Sequence, residues 1–260
     1  MYPERIVCLT EETTETLYML GEGHRVVGIS GYTLRPPEAR SKPKVSSFIS
    51  ARYEKIEALE PDLILTFSDL QAGIASDLVS RGWPVFSFNQ RSIAEILQMI
   101  RLLAGLVGCE AKGQALASEL ERGLEVIRTS AKAFRSRPRT FFEEWDSPLI
   151  SGIQWVEELV EVAGGEPIFP ELHGKRLAKD RIVQEHEVRE RNPDVIFASW
   201  CGKRMKKSVI TSRPGWSDIS AVREDRIYDI PSTYILQPGP AALTEGVRRI
   251  HERLALTFGH

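Results

Sequence analysis

Short apolar runs alternate along this chain with longer stretches in which apolar residues return every three or four positions. "RIVCL", "RVVGIS", "DLILTF" and "PVFSF" are compact runs rich in β-branched and aromatic residues, and each predicts a buried strand. Helical periods lie between them. Thr13 or Thr14 is the expected cap of a helix that runs through Leu17 and Leu20 and stops at Gly21. "PPEAR" predicts a turn followed by an extended stretch. "YEKIEALE" predicts a short helix ended by Pro61, because the residue before a proline is pushed out of the helical region. "LQAGIASDLVSRG" predicts an amphipathic helix closing on Gly82. Strands separated by helices predict a mostly parallel sheet covered on both faces.

Nothing from Ser92 to Arg137 reads as a strand. "SIAEILQMIRLLAGLVG", with Ser92 as N-cap, and "EAKGQALASELERGLEVIRTSAKAFRSR" predict two helices. Their apolar stripe is not kept for enough heptads to make a coiled coil. The strand–helix pattern then restarts: "RTFFEEW" strand, "QWVEELVEVAGG" helix, "PDVIFASW" and "RIYDI" strands, and a terminal helix in "PAALTEGVRRIHERLAL" with proline in its first turn. The expected organisation is an α/β lobe over 1–91, a helical region over 92–137 and a second α/β lobe over 138–260. The halves also echo each other. Glu54, Ile56, Pro61 and Asp62 precede "LILTF", and His186, Val188, Pro193 and Asp194 precede "VIFAS" at the same offsets. That match predicts a duplicated architecture.

Composition narrows the function. Lys plus Arg number 34 and Asp plus Glu 36, a net charge of −2, which gives no general attraction to nucleic acid or anionic lipid. No apolar stretch reaches the ~18 residues of a membrane span, so no membrane insertion is expected. Cys8, Cys109 and Cys201 are odd in number and far apart, which predicts free thiols. No basic segment followed by an apolar one precedes Arg5. The expected location is therefore the cytoplasm, or the periplasm or cell surface if a leader has been removed.

Signatures of chemistry are sparse. There is no phosphate-binding glycine loop, no H-E-x-x-H, no G-x-S-x-G, and no ligand spacing among His24, His173, His186, His251 and His260, so no metal or cofactor is required. Ser151 reads as a loop or cap serine. Glu143, Glu144 and Asp146 could form an acid pair, and Cys201, with Lys203 and Arg204 nearby, could be a nucleophile or an axial metal ligand. No base partner for Cys201 is evident. The balance favours binding over catalysis, with an enzyme acting through Cys201 or the Glu143–Asp146 group as the alternative.

In open parallel sheets ligands bind beyond the carboxyl ends of the strands. The loops there carry Glu11 and Glu12; Tyr32; Phe67 and Asp69; Glu144, Trp145 and Asp146; Trp200 and Cys201; Arg213 and Trp216; and Gln237. Three of the five tryptophans, at 145, 200 and 216, fall in this set. Flat aromatic walls with a few polar groups suit a large planar ligand.

The stretches "RIVCLTEETTETLYMLGEGHRVVGIS", "YTLRPPEARSKPKV", "IEALEPDLILTF", "ELVEVAGGEPIF", "RNPDVIF" and "PGPAALTEG" together resemble the class III solute-binding proteins of ABC importers, and among them the cobalamin-binding members. Iron–siderophore and haem binders share these motifs. The resemblance implies two Rossmann-like lobes with mainly parallel sheets joined by a single long helix, with the ligand held between them. It implies that Tyr32, Phe48, Phe67 and Trp145 contact a corrinoid such as cobalamin; by their place beyond the strand ends, Trp200 and Trp216 are expected to pack on it, and Asp69, Glu144, Arg213 and Gln237 to orient it. Asp180 stands near a position that is tryptophan in a cobalamin binder, and Glu11-Glu12 replaces a common Pro-Ser. The resemblance also implies one acidic residue on each lobe pairing with arginines of a membrane permease. Glu54 matches the first. His186 stands at the second, flanked by Glu185 and Glu187, and weakens that partnership. Two expectations follow: a binding protein for a corrinoid or related large planar ligand, and alternatively the secreted binding component of an ABC importer for cobalamin or an iron–siderophore.

Overall fold

A computed structural model describes residues 2–259 of the chain. Two compact units account for it. The first takes the residues up to Gln90 together with Ala94–Glu119, and the second takes Arg91–Ile93 and everything from Leu120.

The first unit is built on a six-stranded sheet. Its strands are β1 (Ile6–Cys8), β2 (Val26–Ser30), β3 (Lys44–Ser47), β4 (Ser50–Ala51), β5 (Leu63–Phe67) and β6 (Val85–Phe88), ordered β4-β3-β2-β1-β5-β6. All neighbours are parallel except the β3–β4 hairpin. β1 and β5 are buried along their whole length, as the unbroken apolar runs require of central strands. Helices α1 (Glu11–Met19), α2 (Tyr53–Glu57) and α3 (Ala72–Ser80) connect strands, and α4 (Ile93–Leu106) and the 22-residue α5 (Glu110–Ala131) follow. Gly113 lets α5 lie against α4: a Cβ there would sit 2.2 Å from that of Ala104. The unit boundary, between Glu119 and Leu120, falls inside α5.

The second unit carries β7 (Arg139–Asp146), β8 (Leu149–Ser151), β9 (Glu166–Pro167), β10 (Val195–Ala198) and β11 (Ile227–Asp229), with the order β11-β10-β7-β8 and β9 also paired to β7. β8 alone runs antiparallel. Its helices are α6 (Gln154–Ala163), α7 (Glu185–Arg191), α8 (Lys207–Thr211), α9 (Ser220–Arg223), α10 (Ser232–Ile235) and α11 (Val247–Phe258), the last preceded by a π-helical turn at Ala242–Gly246. Phe141, Ile196, Trp216 and Ile227 centre its core. The expected fold, two α/β units on mainly parallel sheets, is what forms.

The echo between the halves has a physical basis. Asp62 accepts hydrogen bonds from the backbone N–H groups of Glu4 and Arg5 at 2.7 and 2.8 Å, and its own N–H donates to the Arg5 carbonyl. Asp194 accepts from Arg139 N–H at 2.9 Å and donates to the Arg139 carbonyl. Each Pro-Asp turn thus clips the start of its unit's first strand to the strand that follows the turn. Ile56 and Val188, the apolar partners in the echo, are fully buried.

Two local expectations are corrected. The cap of α1 is Thr10, in extended conformation, and Thr13 and Thr14 lie in the first turn with hydroxyls donating back to the Thr10 carbonyl. Ser151 is a strand residue in β8, buried, with its hydroxyl on the Arg181 carbonyl. A three-residue strand bounded by a proline turn and a glycine carries too short a period to stand out.

Candidate functional site

In the first unit, three adjacent loops leave the carboxyl ends of β2, β3 and β5. Gly31 N–H donates to the Ser46 carbonyl, which holds the first loop to the second. Gln71, fully buried, holds the second to the third: its amide donates to the Phe48 and Leu9 carbonyls at 2.9 and 3.3 Å and accepts from Phe67 N–H at 3.0 Å. On this pinned frame Tyr32 is 55% exposed, Ile49 73% and Leu70 57%, and Phe48 is half-buried. Asp69 is exposed beside Leu70, whereas Phe67 is buried in its strand. Large apolar side chains are thus left in water on loops that buried polar groups hold in place.

The first turn of α1, after the carboxyl end of β1, is acidic. Glu11 and Glu12 are both buried. Glu11 accepts from Leu34 N–H at 3.0 Å, Glu12 accepts from the Thr10 hydroxyl at 2.6 Å, and the second oxygen of Glu12 has no hydrogen-bond partner. Burial pushes both carboxyls up, to about 7.

In the second unit the carboxyl ends of β7 and β10 gather most of the expected residues. Glu143, without exposure, takes a two-pronged contact from Arg213 at 2.6 and 2.9 Å and a hydrogen bond from the Trp200 indole at 3.1 Å. Burial pushes its carboxyl up and Arg213 pulls it back, leaving the geometry of a carboxylate–guanidinium pair. Arg213 also lies over the Trp216 ring at 4.4 Å. Trp216 meets Phe141 edge-on and has no surface left for a ligand. Glu144 is likewise engaged, by the buried Arg181 at 2.7 and 3.0 Å. Trp145, half-buried, donates to the Ser147 carbonyl at 2.9 Å, and Trp200 is 3% exposed. Lys203 covers both indoles and pairs with Asp146. Gln237 is half-buried on the turn after α10 and is not tied to this cluster by hydrogen bond among the described residues.

Fixed ion pairs of this kind orient aromatic walls; they do not move protons. Glu143 and Asp146 each hold a cation, which removes the acid pair that their spacing suggested. Cys201 is exposed. Among the described residues no group of three His, Cys, Asp or Glu side chains could hold a metal ion, and no helix is long and apolar enough to cross a membrane. Sequence reading passed over Arg181, an ordinary arginine in a polar loop, and counted Gln71 among the ligand-side loop residues; the fold brings Arg181 to Glu144 and turns Gln71 inward to the Phe48 and Leu9 carbonyls.

At the docking positions, Glu54 is exposed on α2 and His186 on α7. Glu187 is used up in a capping box on Gln184, while Glu185 remains half exposed.

Comparison with known proteins agrees with this architecture. A family model described as periplasmic binding protein matches residues 6–234. An uncharacterised ABC transporter substrate-binding lipoprotein, YvrC, of Bacillus subtilis is 27% identical over 265 residues, covering 97% of this chain and 80% of that protein. A vitamin B12-binding protein of Vibrio parahaemolyticus is 25% identical over 247 residues, covering 92% and 86%. The crystal structure of a possible iron-binding (periplasmic solute-binding) protein of Staphylococcus epidermidis superposes with a TM-score of 0.83 at 22% identity, covering 98% and 99%, which bears on the fold. The expectation of a binder rather than an enzyme is borne out by these relatives. The chain belongs to the periplasmic binding protein family.

Proposed function

We propose that this protein is the substrate-binding component of an ABC importer and that its ligand is a corrinoid or a related large planar molecule. The observation that carries the reading is the set of exposed apolar side chains Tyr32, Ile49 and Leu70, with half-buried Phe48 next to Ile49, on loops held by Gln71 and by the Gly31–Ser46 bond. A broad apolar ligand face buries them at about 25 cal/mol per Å² of apolar surface removed from water. On the second unit, half-buried Trp145 carries an indole of the same apolar character, whereas Trp200 is buried in the core. The vitamin B12-binding relative supports the ligand class, and the lipoprotein relative supports work outside the cytoplasm rather than within it. Glu54 is the proposed contact to a permease arginine, with Glu185 taking the part that His186 cannot.

Titration with hydroxocobalamin, followed by tryptophan fluorescence and corrin absorbance, tests the reading. Saturable binding at micromolar or tighter levels is expected, weakened at least about tenfold by Tyr32→Ala or Trp145→Ala, the loss of about 1.4 kcal/mol. No binding of hydroxocobalamin with saturable binding of haem would replace the corrinoid by another planar ligand, and no binding of either would sink the planar-ligand reading.

A further inference from the structure

Lys203 occupies an unusual place for a surface lysine. Its ammonium lies 4.2 Å from the ring centre of Trp145 and 5.0 Å from that of Trp200, and 2.5 Å from an Asp146 carboxylate oxygen. Two indole faces and one carboxylate therefore converge on a single cation, the arrangement by which aromatic cages select alkylammonium groups.

The walls and the occupant are held very differently. The Trp200 indole is fixed by Glu143, which is itself fixed by Arg213. The Trp145 indole is fixed on the Ser147 carbonyl, and Asp146 is held in β7 by its pairing with Leu149. Lys203, by contrast, is 42% exposed. It follows Gly202, a left-handed glycine (φ 77°) with open space around it, and its backbone N–H makes a single long bond, 3.4 Å, to the Trp200 carbonyl. Rigid walls surround a loosely tethered ion. Beside them a groove of about 390 Å³, lined by Trp200, Lys203, Arg204, Asp229 and Ser232, gives room into which the lysine can swing. The other charged side chains lining this groove are Arg204 and Asp229.

We infer that Trp145, Trp200 and Asp146 form a receptor for an alkylammonium group, and that Lys203 is its tethered occupant, displaced when a ligand brings an ammonium of its own. This goes beyond the corrinoid reading and stands without it, since the cage lies wholly within the second unit.

A side chain tethered this closely competes at an effective concentration on the order of millimolar, so the wild-type cage is largely closed to free ions. Tetramethylammonium is the probe, titrated against tryptophan fluorescence with sodium chloride as the matched control. Lys203→Ala should bind it saturably, with wild-type protein at least about tenfold weaker. The double variant Lys203→Ala with Trp145→Ala should lose that binding. Lys203 is 42% exposed and its removal opens Asp146, 12% exposed in the pair, to water, so Lys203→Ala should still unfold in one cooperative transition. Equal response of Lys203→Ala and wild type, or undiminished binding in the double variant, overturns the proposal. Hydroxocobalamin titration of the same proteins separates it from the corrinoid reading: a cage that fails while the corrin still binds refutes only the cage.

Discussion

Glu143→Ala offers the sharpest test of how the second unit's site is built. The carboxylate has no exposure, and Arg213, which it holds through both terminal nitrogens, is 7% exposed. Removing it strands a buried guanidinium, and breaking a buried pair from one side costs about 3–5 kcal/mol. It also orphans the Trp200 indole N–H. One neighbour softens the loss: the half-exposed Glu185 carboxylate stands 3.9 Å from the Arg213 Nε. That places the expected cost at the lower end, about 3 kcal/mol. Urea unfolding followed by fluorescence reads it directly. Glu143→Gln keeps an oxygen for Trp200 and should lie between the two. Glu143→Met combined with Arg213→Met leaves no unpaired charge and should recover most of the loss, since apolar replacement of a whole buried pair is close to neutral. A single-variant cost below about 1 kcal/mol, or a double variant worse than the single, would refute the claim that the pair is a closed internal strut.

Gln71→Ala removes three buried hydrogen bonds that hold the loops after β3 and β5; it should cost about 2–3 kcal/mol and weaken hydroxocobalamin binding by more than it shifts the spectrum, as measured by urea midpoint and titration. Asp62→Ala frees the N–H groups of Glu4 and Arg5 at an exposed position and should cost about 1–2 kcal/mol in thermal unfolding, with Asp62→Asn close behind. Stability should also depend on pH. Burial raises Glu11 and Glu12 to about 7 and Glu157 to about 8 from an ordinary 4.5, so the folded state holds protons that the unfolded state releases. Their contribution is complete below about pH 4.5 and is lost as the pH rises through 7 to 8. Unfolding midpoints should fall between pH 5 and pH 8, and less so in Glu12→Gln or Glu157→Gln; a flat wild-type profile would contradict the assignment.

The strands and helices were legible because their periods are long or their apolar runs dense: "LILTF" becomes the fully buried β5, and "QWVEELVEVA" becomes α6 with Leu159 and Val160 inside. The short pairings were not. β8 and the β3–β4 hairpin span two to four residues, below the reach of any periodicity. Loop position grouped Trp145, Trp200, Arg213 and Trp216, and in the fold they are neighbours through Glu143 and Lys203. It could not tell a wall from a support. Arg213 meets Glu143 across 70 positions and Arg181 meets Glu144 across 37, and ion pairs that distant leave no mark in a single sequence. Trp216 looked like a loop aromatic because its neighbours are Pro214 and Gly215, yet it is buried under Phe141.

The paired aspartate clips bear on how such a protein can change over generations. A first strand of only three residues, Ile6–Cys8, offers few ladder bonds to define its alignment, and Asp62 supplies the missing reference point from inside the same half. Asp194 makes the same clip in the other half, where the first strand, β7, is eight residues long. Each half therefore has its own alignment device, and the loops at the opposite, carboxyl ends of the strands can vary without disturbing it. One half carries acids at Glu11 and Glu12 and the other indoles at Trp145 and Trp200, each beyond strands whose start is clipped in the same way.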